Sequence, residues 1–291
     1  MNILLTGVTG FLGSHLLESF VSRGFKVVIL KRSTSQTYRI NHLLKEVKSY
    51  DIDLLSNLDI VFEGNKIDVI VHTACSYGRR SESLVEIVNS NLIFGLTLME
   101  LGIKNKVKTF INTDSLLPRN LNNYSLSKSQ LSDWLQKFSN EIQIINLKVE
   151  HMYGPKDDTK KFLPWLIDEM MNGTKEINLT SGVQKRDFIY IDDVVSAFIS
   201  VIKSRDNLDN WNEFDVGTNL FIKVKDFVLL VAKELEKVNK NNKIITKLKF
   251  GAIAYRDSDI MVPELDNSNL LRLGWKPKIS IEEGIRKILK K

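Results

Sequence analysis

A chain of 291 residues, 43% hydrophobic and 26% charged, can bury a large core and has the composition of a globular protein. Its formal charge of +6 is scattered rather than blocked, which argues against a nucleic-acid partner and suits polyanionic small ligands. One cysteine excludes an internal disulfide framework, four histidines without ligand spacing argue against a metal site, and no uninterrupted apolar run reaches the ~20 residues of a membrane span.

Ile3-Leu4-Leu5 reads as a buried strand that begins at once, without a signal-peptide pattern, so a cytoplasmic location is expected. Thr6-Gly7-Val8-Thr9-Gly10-Phe11-Leu12-Gly13 follows, and Leu12, Leu16, Leu17, Phe20 and Val21 then repeat at helical spacing as far as Gly24. Phe25 to Leu30 is a second strand. Strand, glycine turn, helix and strand form the context of a dinucleotide-binding loop, with the pyrophosphate on the helix N-terminus. Gly7, Thr9, Gly10, Phe11, Leu12 and Gly13 are its candidate residues.

After the second strand an acidic residue would bind a ribose 2′-hydroxyl, but this chain has Lys31-Arg32-Ser33, which suits a 2′-phosphate. The expected cofactor is therefore NADP(H). The apolar spacing predicts a short helix over 37–48, and Asp53 and Leu54 are placed near the adenine. Ile67 to Val71 is a strand ended by His72-Thr73-Ala74-Cys75, and Thr73, Ala74 and Cys75 are expected beside the cofactor. A long helix over 84–101 carries Asn91, also placed at the cofactor.

A strand over 107–112 runs into Thr113-Asp114-Ser115, and a helix over 125–138 opens at Tyr124-Ser125-Leu126-Ser127-Lys128. Tyr124 and Lys128 share a helix face, and an ammonium beside a phenol is expected to lower the tyrosine pKa. Thr113 or Ser115 would hold a substrate carbonyl oxygen. The alternation of strands and helices predicts an α/β fold, a doubly wound parallel sheet with helices on both faces.

The TGVTGFLG loop, the HTA run, Asn91, the Thr113/Ser115 site and YSLSK together resemble the extended short-chain dehydrogenase/reductase family, of the NAD-dependent epimerase/dehydratase type. Leu147 to Pro155, Arg186 to Asp193 and Leu273 to Pro277 resemble its later motifs, so the likeness covers nearly the whole chain. It implies a Rossmann domain over 1–155, a smaller C-terminal α/β substrate lobe over 156–291, and a return to the first domain over 187–220. It also implies a homodimer built from the helices over 84–101 and 125–138.

Most relatives act on nucleotide-linked sugars, so the resemblance implies a nucleotide-sugar partner. Arg186 and Arg256 are candidates for its pyrophosphate, and Tyr77, Arg79, Glu150, His151 and Phe162 for the rest of it. Sugar dehydratases of the family carry Thr-Asp-Glu where this chain has Thr113-Asp114-Ser115, and a serine cannot supply their base. Together with Lys31-Arg32 this selects net reduction. Four stretches, 74–79, 112–118, 148–154 and 179–188, resemble the family's NADPH-dependent 4-reductases of CDP-linked 3,6-dideoxy sugars for bacterial surface polysaccharide. The competing readings are a 4-epimerase, a reductase of another nucleotide-linked 4-keto-6-deoxy sugar, and an NADP-binding redox sensor. The intact Tyr124 and Lys128 count against the sensor.

Overall fold

The computed structural model describes residues 1–79, 81–238, 245–256 and 259–290. β1 (Asn2–Thr6), α1 (Phe11–Ser22) and β2 (Lys26–Lys31) form the opening unit that the pattern predicts. The next segment differs from expectation. Ile40 and Leu43 are buried as helical spacing over 37–48 requires, yet only one 3₁₀ turn forms, at Asn41–Leu43. The chain then extends as β3 (Lys48–Asp51), because those residues pair with Val28–Lys31 and complete the sheet edge.

α2 (Asp59–Glu63) and β4 (Val69–His72) follow. The long helix forms in three parts: α3 (Leu84–Val88), a π-helical turn at Asn89–Ile93, and α4 (Phe94–Lys104). At 21 residues, with a mean hydropathy of 1.4, it has the length and composition of a membrane span. Its glycines show how it sits here: Gly95 lies against the Leu131 side chain, and Gly102 against Ile70 and Ile142. β5 (Thr109–Ser115), α5 (Asn123–Lys137), β6 (Gln143–Val149), β7 (His151–Tyr153), α6 (Phe162–Met171), β8 (Glu176–Leu179) and β9 (Lys185–Tyr190) come next. The chain ends with α7 (Ile191–Ser204), β10 (Trp211–Val216), β11 (Phe221–Lys223), α8 (Val224–Val238), β12 (Lys247–Phe250), α9 (Ser268–Arg272) and α10 (Ile281–Leu289).

Seven strands form one parallel sheet in the order β10-β6-β5-β4-β1-β2-β3. Successive residues of its strands serve two different cores. Ile3, Leu5, Val69, Val71 and Ile111 pack on the α1 and α7 side, while Leu4, Ile70 and Phe110 pack with Leu98, Leu131 and Leu135 on the other. Both faces are covered, which is why these strands are apolar throughout rather than alternating. Strand order reverses direction between β1 and β4, and ligands of such sheets bind in the crevice at that switch point.

The remaining strands make a three-stranded sheet, β11-β9-β7, and a two-stranded one, β12-β8. The first core runs without a break into these elements through Leu163, Leu166, Ile177, Phe227 and Val231. The Arg186 to Asp193 motif has a structural end. The Asp193 carboxylate accepts the N–H groups of Lys278 and Ile279 at 3.0 and 2.9 Å, and the Trp275 indole donates to Ser196 Oγ at 2.8 Å.

Candidate active site

The glycine loop sits at the switch point. Gly7 has φ of +67°, and a Cβ there would lie 2.6 Å from the Thr73 carbonyl carbon and the Ala74 nitrogen. A Cβ on Gly13 would lie 2.2 Å from the Gly7 oxygen. Close backbone approach, as well as turning, therefore requires these glycines. Gly10 enters α1 in an extended conformation without a side-chain cap, so the first-turn N–H groups remain available to an anion. The loop is tied to β4 by Thr6, whose Oγ1 accepts from the N–H groups of Thr73 and Ala74 at 3.2 and 3.3 Å.

With both acceptor positions used, Thr6 Oγ1 donates to His72 Nδ1, 2.9 Å away. His72 is therefore the neutral Nε2–H tautomer. Burial, with the Lys128 charge adding to it, pulls its pKa down to about 3. A histidine whose folded pKa lies below its unfolded value of ~6.5 gives stability that is complete above that value and is lost as pH falls. Between ~pH 6 and ~pH 4 the wild type is expected to lose about 1.4 kcal/mol per pH unit more than a His72→Leu variant. Urea unfolding across that range checks this, and parallel pH slopes for the two proteins would refute it.

Tyr124 and Lys128 lie one turn apart near the start of α5, which Asn122 and Ser125 cap reciprocally. Lys128 is 2% exposed and has no ion-pair partner among the described residues. The Tyr124 ring packs on that of Tyr77 with centroids 4.8 Å apart, and the Arg79 guanidinium lies over Tyr77 at 5.1 Å. Half-buried Cys75 lies close enough to Tyr77 for each to influence the other's ionisation. This setting corrects one expectation. The Tyr124 phenol is held well above its ordinary pKa, first by loss of solvent and then by Cys75, Tyr77 and Asp114. Arg79 is the leading cation that opposes the shift.

Thr113 and Ser115 are separated by their surroundings. Thr113 Oγ1 is buried without a hydrogen-bond partner among the described residues. Ser115 Oγ accepts from the Leu117 N–H at 3.1 Å and lines a different cavity, of about 600 Å³, with Asp114, Ser132, Lys148 and Glu213. Asn91, expected at the cofactor, is fully buried and committed to protein. Its amide donates to Ser76 O at 2.8 Å and Ser127 Oγ at 3.0 Å, and its oxygen accepts the Ser76 N–H at 2.6 Å. It ties the Cys75 loop to α5, and the π-helical turn is what aims it there.

At the far end of the crevice, Lys31 is paired with Asp51, and Asp53 accepts from the Ser33 N–H at 2.7 Å and the Ser33 hydroxyl at 2.5 Å. Arg32 is exposed and carries the guanidinium left available there, while Leu54 is 72% exposed. A residue the sequence reading passes over is Arg39, which donates to Thr9 O at 3.2 Å and Lys156 O at 2.9 Å and so braces the loop. Lys161 is another: it pairs with Asp157 at 2.9 Å and stands 5.0 Å over the Phe11 ring. Neither lies in a recognisable motif.

The candidates for the sugar nucleotide form a second group. Glu150 is buried and bonds His151 Nδ1 at 2.6 Å, while the His151 side chain is 43% exposed. The Arg186 side chain is 14% exposed and faces Asp259 at 3.9 Å, and the Arg256 N–H donates to the same carboxylate at 3.1 Å. Asp259 thus meets the Arg186 side chain and the Arg256 backbone, and Arg256 is exposed. Phe162 and Trp165, with centroids 6.1 Å apart, are half-exposed at the start of α6. Among the described residues no group of His, Cys, Asp and Glu could hold a metal ion.

Comparison with known proteins fits this geometry. The model of the NAD dependent epimerase/dehydratase family matches residues 3–217. The chain is 32% identical to CDP-abequose synthase of Salmonella typhimurium, over 99% of this chain and 97% of that one. It is 35% identical to CDP-abequose synthase of Salmonella muenchen, over 99% and 96%. Among solved structures, UDP-glucose 4-epimerase of Thermotoga maritima superposes with a TM-score of 0.84 at 24% identity, covering 100% of this chain and 98% of that one. UDP-glucuronic acid 4-epimerase of Bacillus cereus, solved with UDP-glucuronic acid and NAD, superposes at 0.82 and 22%, covering 99% and 98%. The chain belongs to the NAD dependent epimerase/dehydratase family.

Proposed function

We propose that this protein is an NADPH-dependent 4-ketoreductase of a CDP-linked 3,6-dideoxy-4-hexulose, similar to CDP-paratose synthase and serving bacterial surface polysaccharide. The CDP in the names of its Salmonella relatives supports the nucleotide. Arg32, exposed after β2 in place of an acid, supports NADP(H). The observation that carries the direction of reaction is Ser115, which stands where the family's dehydratases carry their glutamate base and cannot supply one.

The residues present fit a nicotinamide dinucleotide. The Gly7, Gly10 and Gly13 cradle admits a pyrophosphate, and the buried ammonium of Lys128 is without an anion. When bound, the reduced cofactor supplies a hydride. The protein does the rest. Thr113 Oγ1 donates to the carbonyl oxygen and fixes its place, and Tyr124 gives the proton as charge develops on that oxygen. Lys128 offsets the resulting phenolate charge in a site of low dielectric. Ser115, with its hydroxyl turned to Leu117, is left out of this step. Arg186 and Arg256 bind the substrate pyrophosphate and His151 the sugar. The exposed Leu84, Val85, Ile93 and Trp134 on α3, the π-helical turn and α5 fit a dimer made through those helices.

The test is a panel of nucleotide-linked 4-keto sugars with NADPH. Turnover of the CDP-linked 3,6-dideoxy compound should exceed that of dTDP- or UDP-linked 4-keto-6-deoxy compounds by about 10-fold or more in kcat/KM, since each ~1.4 kcal/mol of selective contact is worth tenfold. Equal rates across the panel would contradict the assignment of the nucleotide and sugar.

A further inference from the structure

Between β7 and α6 the chain crosses over the start of α1, and three contacts hold it there. His15 Nε2 bonds Pro155 O at 3.1 Å, Arg39 donates to Lys156 O at 2.9 Å and to Thr9 O at 3.2 Å, and the Lys161 ammonium stands 5.0 Å from the centre of the Phe11 ring. A Cβ on Gly154 would lie 3.4 Å from Phe11 Cζ, so the crossing is close. Phe11 is the first residue of α1, whose first turn has neither a side-chain cap nor an acidic residue. On the other side of the crevice the Lys161 charge bears on the Cys75 thiol, and the Asp157 charge on the Tyr77 phenol. Lys161 therefore reaches over the crevice between the ends of β1 and β4, where the dinucleotide cradle lies.

Two features set Lys161 apart from an ordinary surface lysine. Its side chain is only 23% exposed, and its one ion pair among the described residues is with Asp157, at 2.9 Å. The Asp157 side chain is buried, and the same oxygen accepts the Asp158 N–H at 2.8 Å. Burial raises the pKa of Asp157, and Lys161 is the largest influence against it. A buried carboxylate and a half-buried ammonium are costly to keep apart, so each stabilises the other. We propose that Lys161 is a pyrophosphate-binding residue held by Asp157, and that its place over Phe11 makes the pyrophosphate the dinucleotide's. The start of α1 offers a phosphate its N–H groups and a partial positive charge, and Lys161 adds a full one. A pyrophosphate, with two charges, competes for that ammonium against a carboxylate with one.

The two members of the pair then act on dinucleotide affinity in opposite directions. Removing the Lys161 charge weakens the hold on the pyrophosphate. Removing the Asp157 charge frees the ammonium and lifts a repulsion, so binding tightens. In a merely structural ion pair both changes loosen the crossing segment and act in the same direction. This rests on the dinucleotide site proposed above, and on neither the sugar nor the direction of reaction.

The experiment titrates NADPH into wild type and variants and follows its fluorescence. Lys161→Met should weaken NADPH binding at least ~10-fold, and Lys161→Arg should recover most of it. Asp157→Asn should tighten it several-fold. Two further probes locate the contact. Adenosine 2′-monophosphate, which suits the Arg32 end and lacks a pyrophosphate, should bind Lys161→Met as it binds wild type, and so should CDP, which reports the sugar-nucleotide side. Unchanged NADPH affinity in Lys161→Met, an equal or larger loss for CDP, or weakening by both Lys161→Met and Asp157→Asn overturns the inference. If Lys161→Met loses adenosine 2′-monophosphate as well, the crevice is disturbed and Asp157→Asn alone decides: tighter NADPH binding supports the role, and unchanged or weaker binding overturns it. Preference of the wild type for NADH would contradict the NADP(H) reading alone, and the same signs are then expected with NADH.

Discussion

Tyr124→Phe is expected to lower kcat by about 10²–10⁴-fold, or roughly 3–5 kcal/mol of barrier, the range of a positioned general acid. The substitution removes one oxygen and keeps the ring, so the packing on Tyr77 at 4.8 Å survives and the fold should not change. The dinucleotide affinity should also survive, because the glycine cradle lies between β1 and α1 and does not include the phenol. The effect should appear in kcat with little change in KM, since the proton moves only in the transition state. Stopped-flow kinetics with a substrate from the panel measure it. A variant that retained wild-type turnover would remove Tyr124 from the mechanism and leave Tyr77, the neighbouring phenol, as the acid to test.

Gly7→Ala is expected to weaken dinucleotide binding by at least ~100-fold, about 2.7 kcal/mol. Two costs add. An L residue at φ of +67° is strained by about 1–2 kcal/mol. The new methyl group would also stand 2.6 Å from backbone atoms of Thr73 and Ala74, which cannot rotate away and must shift. That shift opens β1 from β4 where the crevice lies. Gly24→Ala is the control: its φ is +75°, but nothing lies within 4 Å of the added atom. It should carry the strain alone, with stability reduced by about 1 kcal/mol and affinity intact. Fluorescence titration with thermal unfolding separates the two, and equal affinity losses would refute the close-approach argument.

The parts of this protein that were legible in its sequence are those in which one local pattern has one structural solution. The glycine spacing after Leu5 is of this kind, because turn, close approach and helix start are all local. The apolar runs were also readable, since both sheet faces are covered and each strand is apolar throughout. The segment over 37–48 was misread because Ile40 and Leu43 satisfy helical spacing while the backbone closes three-residue turns, Ile40 N–H to Thr37 O, Leu43 N–H to Ile40 O and Glu46 N–H to Leu43 O, and only Lys48 enters β3. Apolar spacing of three does not tell such turns from an α-helix.

The site was readable to the same depth. Tyr124 and Lys128 are legible because one helix face sets both. The division between Thr113 and Ser115 is not, because it depends on which side of the strand end meets Leu117. Asn91 sits in a run that reads as ordinary helix, and only the π-helical turn reveals why its amide reaches Ser76. The raised pKa of Tyr124 was inaccessible for a plainer reason: burial is a property of the packed molecule, and here it outweighs the neighbouring charges.

Net reduction consumes one cofactor molecule per turnover, and epimerisation consumes none. The direct measurement is the stoichiometry of NADPH oxidised to CDP-linked 4-keto-3,6-dideoxyhexose consumed, followed by absorbance and by analysis of the sugar at completion. One NADPH should be oxidised for each sugar reduced, with NADPH preferred over NADH by about 10-fold or more through Arg32. Conversion of sugar without net oxidation would make the protein an epimerase, and tight binding of NADPH without turnover of any keto sugar would make it a sensor. Either result contradicts net reduction by this protein.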